Sequence, residues 1–412
     1  MIKVSLPDKN HAQPRTLWLP LPLLLDYRRV KDSLNGTDII HHNGTVNQGR
    51  HNNRKEIPGR RNDMRRWKQI AIVIVIQLAF IACAPEVLPV GVPTQDFPLT
   101  DTPAPIRSGS GVISLSTAKD VILLQTFSGH TNRVLDVEFS AGGKYIASSS
   151  QDMTIKLWDV GSGKVVHSFQ MRSVDMSDID ISLDSNLLAS GEAIWDLDSL
   201  QEIHVLERGL PFPVSVAFSP DGSLLAVGIF DQQIKLWDPI SGQPISTFEK
   251  REENRTKRMD FSPDGTLLAA GVIDGSIRLF DIASGKITSI FTYGGETDIH
   301  NLAFSPDGKY LASGGRLPAV VLWDIADGGV VRTFRLTDNA ISMDFSPDGT
   351  ILASAGGKEY EVLLWDVESG ALLHSLPHND QLTSIAISPD GRLLAVGCFD
   401  NKVYLWGLPP KP

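Results

Sequence analysis

The side chains that most often carry chemistry in proteins are few and scattered in the later part of this 412-residue chain. Six histidines follow residue 110: His130, His167, His204, His300, His374 and His378. Only His374 and His378 lie at a metal-ligand spacing, and they flank a connection between predicted strands. The sequence has no Gly-rich phosphate loop, no Gly-x-Ser-x-Gly turn and no paired catalytic carboxylates. We therefore expect a protein that is not an enzyme, with no catalytic residues, no cofactor and no metal.

Charge and cysteine content narrow the classes of partner. Residues 1–83 carry 14 Lys and Arg against 6 Asp and Glu, which leaves 24 against 42 in the remainder, a net charge of −18. An acidic body repels phosphate backbones, so we expect no nucleic-acid partner. The two cysteines are Cys83 and Cys398, and Cys398 falls in a predicted inner strand, where it is most simply a small buried side chain.

An apolar run ends at Cys83. Three basic residues lie within Met64–Gln69, and the thirteen residues Ile70–Ala82 that follow are apolar except for Gln77. The run is shorter than the ~20 residues of a transmembrane helix, which favours a signal peptide over residues 64–83. Its end, Phe80-Ile81-Ala82-Cys83, resembles the lipobox of bacterial lipoproteins. That resemblance implies a lipid on Cys83 and an extracytoplasmic location at the cell membrane or envelope.

The segments around this run are not expected to fold. Residues 1–63 show no sustained period of two or 3.6, so they are either disordered or the translation of an upstream region before the true start at Met64. Residues 84–112 are proline-rich and read as a tether. An uncleaved anchor with a basic cytoplasmic tail, or a cytosolic protein, are the alternatives to a lipoprotein.

Residues 113–412 repeat a pattern. An aromatic residue followed by Asp or Gly recurs at spacings of 37, 42, 43, 43, 42 and 41 residues: Trp158, Trp195, Trp237, Phe280, Trp323, Trp365 and Trp406. Five copies of Ser-Pro-Asp-Gly recur between these marks. Each unit holds four short alternating segments separated by turn residues, which predicts four β-strands per unit.

These marks resemble the WD40 repeat family. The resemblance implies an all-β fold, a seven-bladed β-propeller of four-stranded blades. The last unit lacks its fourth strand, and Lys119–Phe127 supplies a matching segment before the first unit. The last blade is therefore predicted to be closed by this N-terminal strand, which removes two open sheet edges. Five residues are missing between Gly191 and Trp195, so a clipped outer hairpin is expected in the second blade.

The resemblance also assigns roles to single residues. The family's hydrogen-bonded network can be complete only in the first blade, with His130, Asp152 and Trp158 as its members. WD40 propellers usually bind proteins or peptides at the end where the inter-unit loops and the turns before the Trp strand converge. Those turns carry the candidate partner-binding residues: Gln151, Phe230, Ile273, Arg316, Tyr360 and Phe399. The charged segment Lys250–Arg258 is expected to be a solvated loop, or a face for an acidic partner.

The expected function is that of a lipid-anchored, extracytoplasmic scaffold that binds a protein or peptide and works as a monomeric propeller. The alternative is a structural or assembly component of an envelope complex, and a propeller enzyme is the third reading.

Overall fold

The computed structural model describes residues 2–6, 15–19, 111–173, 178–184, 186–206, 213–229, 233–248, 256–293, 298–356 and 360–410. The predicted signal peptide with Cys83, and residues 84–110 of the predicted tether, therefore lie outside the described residues. Within residues 1–63, strands β1 (Ile2–Leu6) and β2 (Arg15–Leu19) pair in antiparallel register, with Ile2 opposite Leu19. This pairing was not predicted, because five residues are too few to establish a period of two. No helix in the described part of the chain has the length and apolar character to span a bilayer.

Residues 111–410 form the propeller, whose strands are described blade by blade. A short 3₁₀ helix, Ala118–Asp120, and strand β3 (Ile122–Ser128) come first. Blade 1 contains β4 (Val134–Phe139), β5 (Tyr145–Ser150), β6 (Thr154–Asp159) and β7 (Lys164–Gln170). Blade 2 contains β8 (Ile179–Ile181), β9 (Leu187–Ser190), β10 (Ala193–Asp196) and β11 (Gln201–Val205). Blade 3 contains β12 (Pro213–Phe218), β13 (Leu225–Ile229), β14 (Ile234–Asp238) and β15 (Gln243–Phe248). Blades 4 to 7 contain β16 (Thr256–Phe261), β17 (Leu267–Val272), β18 (Ser276–Asp281), β19 (Lys286–Thr292); β20 (Ile299–Phe304), β21 (Tyr310–Gly315), β22 (Ala319–Asp324), β23 (Val330–Arg335); β24 (Ala340–Phe345), β25 (Ile351–Gly356), β26 (Glu361–Asp366), β27 (Leu372–Pro377); β28 (Leu382–Ile387), β29 (Leu393–Cys398) and β30 (Lys402–Gly407).

Each blade is a four-stranded antiparallel sheet, and the seven blades confirm the predicted all-β propeller. In blades 1 to 6 the four strands are consecutive in the chain. The first strands of neighbouring blades contact one another around the whole ring, from β4 to β28 and back to β4. The first strands therefore line the centre, and the fourth strands form the outer rim.

The predicted closure is confirmed in blade 7. Strand β3 pairs with β30 in antiparallel register, from Ile122 opposite Gly407 to Ser128 opposite Lys402. The segment before β3 adds to this closure, because Ile113 and Val121 are buried in the same apolar cluster as Trp406. The two chain ends of the ring are thus held by a hydrogen-bonded sheet as well as by apolar packing.

Burial explains why the strands differ in composition. The second strands are buried along almost their whole length, as in β25 and β29, because neighbouring blades cover both of their faces. The fourth strands have one covered face and one solvated face, as in the alternating exposure of β19. Continuous apolar runs therefore mark the second strands and alternating runs mark the fourth.

The Ser-Pro-Asp-Gly marks are the turns between the first and second strands. In blade 4, Ser262 Oγ donates to Asp264 Oδ1 at 2.6 Å, and Gly265 N donates to the Ser262 carbonyl at 2.8 Å. Gly265 has a φ of +69°, which a side chain would strain. Glycine and aspartate recur here because the turn geometry requires them.

Blade 2 is shortened, although all four strands remain. Strands β9 and β10 have four residues each, and only Gly191 and Glu192 separate them. The loss therefore falls in the hairpin between the second and third strands, which lie in the middle of the blade, while the outermost strand β11 is retained.

Candidate functional site

The propeller has two ends, and each end carries a different set of turns. The turns between first and second strands and between third and fourth strands lie at one end, which we call the lower end. The turns between second and third strands and the connections between blades lie at the other, the upper end. Backbone hydrogen bonds tie the two kinds of upper-end loop together, as in Arg316 N to Asp298 O at 3.2 Å. All the candidate partner-binding residues that the structure describes lie in upper-end turns.

Gln151 and Phe399 are brought together through a residue that the sequence analysis did not single out. The Arg133 guanidinium lies over the Phe399 ring, 4.7 Å from its centroid. Gln151 N donates to the Arg133 carbonyl at 3.0 Å. Gln151 and Phe399 are half-buried rather than fully exposed. Blades 1 and 7 thus share an aromatic and cationic patch at their upper ends.

Arg316 and Tyr360 are the exposed members of the set. The Arg316 side chain is 67% exposed, and its Nε lies 3.3 Å from Asp298 Oδ2. Tyr360 is 39% exposed and has a φ of +55°, an unusual value for a bulky residue. Ile273 is half-buried in its turn, and Phe230 lies outside the described residues.

Tyr360 is joined to a half-buried histidine, His378. His378 N donates to the Tyr360 carbonyl at 2.6 Å, and His378 Nε2 accepts from Trp406 Nε1 at 3.1 Å. The His378 ring also packs edge-on against Tyr404, with 5.1 Å between ring centroids. Burial lowers the pKa of His378 to about 4, so the ring is neutral near pH 7. His378 is thus part of the packing beneath Tyr360.

His130, Asp152 and Trp158 belong to one hydrogen-bonded network in blade 1, which Ser148 joins. His130 Nδ1 lies 2.9 Å from Asp152 Oδ2, and His130 Nε2 lies 2.8 Å from Ser148 Oγ. Trp158 Nε1 donates to the same Ser148 Oγ at 2.7 Å. Ser148 therefore donates its hydroxyl proton to His130 Nε2, and His130 Nδ1–H donates to Asp152.

The pKa values of this network agree with a neutral histidine beside an ionised aspartate. Burial lowers the pKa of His130. Burial alone would raise the pKa of Asp152, but hydrogen bonds from Thr154, the Thr131 N–H and His130 bring it down to about 2. The network fixes the connection between blades 7 and 1 at the upper end.

The Trp-to-Ser part of the network recurs in two other blades. Trp323 Nε1 donates to Ser313 Oγ at 2.8 Å in blade 5, and Trp365 Nε1 donates to Ser354 Oγ at 2.9 Å in blade 6. No histidine joins either serine among the described residues.

The central channel holds charged residues that the sequence analysis missed. The described inner strands and Asp178, directly before β8, place six carboxylates around the channel: Asp136, Glu138, Asp178, Asp180, Asp260 and Asp344. Several accept backbone N–H groups from the next blade, as Asp180 does from Phe218 at 2.6 Å and Asp260 from Phe304 at 2.7 Å. The carboxylates therefore join neighbouring blades around the ring.

The expectation for the charged segment Lys250–Arg258 is wrong for Arg258, while residues 250–255 lie outside the described residues. The last three residues of that segment are the first three residues of strand β16. The Arg258 guanidinium therefore lies in the channel and not on a solvated loop. It forms an ion pair with Asp178 in blade 2 and lies 3.3 Å from Asp136 Oδ2 in blade 1. Arg258 thus crosses the channel from blade 4. In strand β16 the polar residues Arg258 and Asp260 alternate with apolar residues, and this alternation was the sequence signal for a strand. The neighbouring charged residues obscured it.

The channel disfavours ionisation of several of its carboxyl groups. Burial, opposed by hydrogen bonds from backbone N–H groups, raises the pKa of Asp180 and of Asp260 to about 7 and that of Asp344 to about 6. Burial and the nearby Asp180 and Asp136 also raise the pKa of Glu138. Asp180, Asp260 and Asp344 therefore have pKa values close to neutral pH.

The remaining reactive side chains have structural surroundings. Cys398 is fully buried in β29, and burial raises the pKa of its thiol to about 12, which leaves it unreactive. His167, His204 and His374 are half-buried on the outer strands β7, β11 and β27. Ser148, His130 and Asp152 are joined in the order of a nucleophile, a base and an orienting group, but Ser148 is fully buried and also accepts from Trp158 Nε1, so its hydroxyl is not accessible to a substrate.

Comparison with family profiles identifies repeats in this chain. The "WD domain, G-beta repeat" family matches residues 122–159, 287–324, 328–366 and 370–407. The "Anaphase-promoting complex subunit 4 WD40 domain" family matches residues 216–298. The matched segments cover strands of blades 1 and 3 to 7.

Three curated relatives are similar over part of the chain. The COMPASS component SWD3 of Saccharomyces cerevisiae is 32% identical over 142 residues, which are 31% of this chain and 45% of the relative. The WD repeat-containing protein 26 homolog of Arabidopsis thaliana is 33% identical over 122 residues, 28% of this chain and 21% of the relative. The Target of rapamycin complex subunit wat1 of Schizosaccharomyces pombe is 31% identical over 133 residues, 31% of this chain and 42% of the relative. The chain thus spans less than half the length of each relative.

Proposed function

We propose that this chain, whose WD40 repeats form a closed seven-bladed propeller, is a non-enzymatic scaffold that binds a protein or peptide at its upper end. The observation that carries the proposal is the set of side chains presented there on rigid blades. Arg316 and Tyr360 are exposed, and the Arg133–Phe399 pair lies between blades 1 and 7. Aromatic and arginine side chains dominate binding energy at protein interfaces, and loops on a rigid scaffold commonly carry binding function.

The named relatives support a role in protein assemblies. One is named as a component of COMPASS and another as a subunit of the target of rapamycin complex. Because each match covers a minority of this chain, the relatives support the class of function and do not identify the partner. The same names favour the second candidate, a structural or assembly component of a larger complex, while its place in the envelope rests on the sequence Met64–Cys83 alone. A partner that co-purifies at fixed stoichiometry distinguishes this candidate from transient binding.

We further propose that the propeller is lipid-anchored through Cys83 and faces outside the cytoplasm. The sequence Met64–Cys83 supports this, with its basic start, apolar run and terminal cysteine. Intact mass and peptide mapping of the protein from its own membrane fraction test it. A mature chain that begins at a diacylglyceryl Cys83 is expected. Unmodified Cys83 together with peptides from residues 1–63 would contradict it.

Substitution at the two ends tests the scaffold role. The change Arg316→Ala with Tyr360→Ala is expected to weaken binding of the native partner at least tenfold, because hot-spot truncations cost about 2 kcal/mol or more. The control, Thr266→Ala with Ser223→Ala, alters two lower-end turns and is expected to leave affinity unchanged. Equal loss in both variants, with both folded by circular dichroism, would contradict binding at the upper end.

A further inference from the structure

One half-buried arginine at the upper end has no acceptor for its N–H groups. Arg133 lies in the connection between blades 7 and 1, directly before β4. Its Nε is buried without a hydrogen-bond partner, and no described residue accepts a hydrogen bond from its guanidinium or forms an ion pair with it. Because a cation in a partly buried position is costly without an acceptor, the site points to an acceptor from outside the chain.

The other half-buried arginines of the described residues all have acceptors within the chain. Arg258 pairs with two aspartates across the channel. Arg278 Nη2 lies 3.1 Å from Asp274 Oδ2 in blade 4. Arg332 Nη1 donates to the Ser369 carbonyl at 2.9 Å between blades 5 and 6. The lack of an acceptor therefore sets Arg133 apart from arginines that join parts of the fold.

Phe399 fixes the position of this guanidinium. The guanidinium carbon lies 4.7 Å from the centroid of the Phe399 ring, so one face of the planar group is covered. Since Nε is buried as well, the two Nη groups are the donors that remain for a ligand. Gln151 N donates to the Arg133 carbonyl at 3.0 Å, and no described residue bonds to the Gln151 carboxamide. The site thus combines a fixed cation with a free amide.

The acidic residues of the adjoining turns are used elsewhere. Asp152 accepts from His130 and from the Thr131 N–H. Asp400 accepts the Tyr404 hydroxyl proton and lies 3.2 Å from Lys402 Nζ. Asp380, in the connection that leads into blade 7, accepts the N–H of the residue that follows it at 2.8 Å. These carboxylates and the paired lysine leave the charge of Arg133 unmatched.

The single positive charge decides which anion fits. A guanidinium offers parallel N–H groups that match the two oxygens of a carboxylate, and one carboxylate neutralises it. A phosphate monoester carries almost two negative charges and would need a second cation. Lys402 is already paired with Asp400 and does not provide one. A carboxylate is therefore the anion that this site fits.

We propose that Arg133 binds the carboxylate of an aspartate or glutamate side chain of the partner polypeptide. The carboxylate accepts from the two Nη groups, and the Gln151 carboxamide is a neighbouring donor. Stacking on Phe399 fixes the guanidinium before binding, which reduces the entropy lost when the partner docks. Arg316 is already paired, with Nε 3.3 Å from Asp298 Oδ2, so Arg133 is the arginine that selects an acidic partner residue. This inference rests on the proposed scaffold function and names the partner's chemistry.

A zero-length crosslink tests the contact. Arg133→Lys keeps a cation and supplies an amine in the full chain, in its native membrane fraction. A water-soluble carbodiimide activates the partner's carboxylate, and the amine then displaces the resulting urea to form an amide. We expect mass spectrometry to find position 133 joined to an aspartate or glutamate of the partner. The control Arg335→Lys, at the exposed upper end of β23, should give no such product.

Affinity and stability measurements separate binding from folding. Arg133→Glu is expected to weaken binding of the partner at least tenfold, and arginine in place of the crosslinked acidic residue of the partner should restore most of the loss. Arg133→Met keeps the contact with Phe399 and removes the charge. Its Tm should lie within about 3 °C of the wild type, because no internal acceptor loses its donor.

Three results would overturn the proposal. They are a partner captured without any product at position 133, unchanged affinity in Arg133→Glu, and a Tm lowered by more than about 5 °C in Arg133→Met, which would make Arg133 a structural cation. Release of the partner by phosphatase, with no product at position 133, would assign the site to a phosphate instead. In each case a partner that still crosslinks to position 316 leaves the scaffold function standing. If the wild type captures no partner, the proposed function itself fails.

Discussion

The substitution Asp260→Asn tests the electrostatics of the channel. Burial is the main cause that raises the pKa of Asp260 to about 7, against an ordinary value near 3.8. The folded protein therefore binds this proton more tightly than the unfolded chain does. Ionisation of Asp260 costs nothing below pH ~4, where both states are protonated, and its full cost applies above pH ~7. The stability of the wild type should fall across this window.

The size of the effect follows from the shift. A difference of about three pKa units corresponds to roughly 4 kcal/mol at about 1.4 kcal/mol per unit. Asp260 is half-buried, so solvent screens part of this, and we expect Asp260→Asn to be more stable than the wild type by about 2–4 kcal/mol at pH 8. The asparagine carbonyl can still accept the Phe304 N–H, which Asp260 Oδ2 accepts at 2.7 Å. The hydrogen bond to blade 5 is thus retained.

The assay is thermal unfolding by differential scanning calorimetry between pH 4 and pH 8.5. For a domain of about 300 residues, 2–4 kcal/mol raises Tm by roughly 3–6 °C at pH 8, and the difference should vanish near pH 4. Asp264→Asn in the same blade is the control, because hydrogen bonds from Ser262 and Thr266 lower the pKa of Asp264. Its variant should be no more stable than the wild type at pH 8. A Tm difference for Asp260→Asn that does not change with pH would refute the reasoning.

Three further predictions concern Arg258, His130 and Tyr360. Arg258→Gln removes the cation that faces Asp136 and Asp178, so the free energy of unfolding at pH 8 should fall by about 3–5 kcal/mol. Urea unfolding followed by tryptophan fluorescence measures this. Addition of Asp178→Asn should recover part of the loss, and no recovery would contradict the ion pair. His130→Ala leaves Ser148 and Asp152 without their partner and should cost about 2–4 kcal/mol in the same measurement, whereas His167→Ala on the outer strand should cost less than about 1 kcal/mol. Tyr360→Gly should raise the free energy of unfolding by about 1 kcal/mol, because Tyr360 has a φ of +55°, a region that favours glycine. Gly275 has a φ of +81° in the corresponding turn of blade 4. The same variant should bind the partner more weakly. A Tyr360→Gly protein that is less stable than the wild type would show that Tyr360 is a packing residue.

The fold was predictable because its signals are local. Turn residues such as Asp264 and Gly265 mark each strand end by their own hydrogen bonding and φ, and the spacing of the Trp strands counts the blades. The closing strand was predictable because Trp406 belongs to a unit with only three strands of its own.

The site was less predictable because it depends on which loops meet. Arg133 and Phe399 are 266 residues apart in the chain and touch only because the ring closes. Arg258 was hidden by neighbouring charges that resemble a loop, and the strand that carries it begins only two residues earlier.

The measurement that tests the scaffold role most directly is site-specific photo-crosslinking in the native membrane fraction. A photoreactive amino acid is placed at position 316 in the upper end and, in a second protein, at position 266 in a lower-end turn. We predict one adduct of discrete mass from position 316 and none from position 266, and the adduct should disappear when Tyr360→Ala is added. Adducts of equal yield from both positions, or none from position 316, would contradict a partner bound at the upper end.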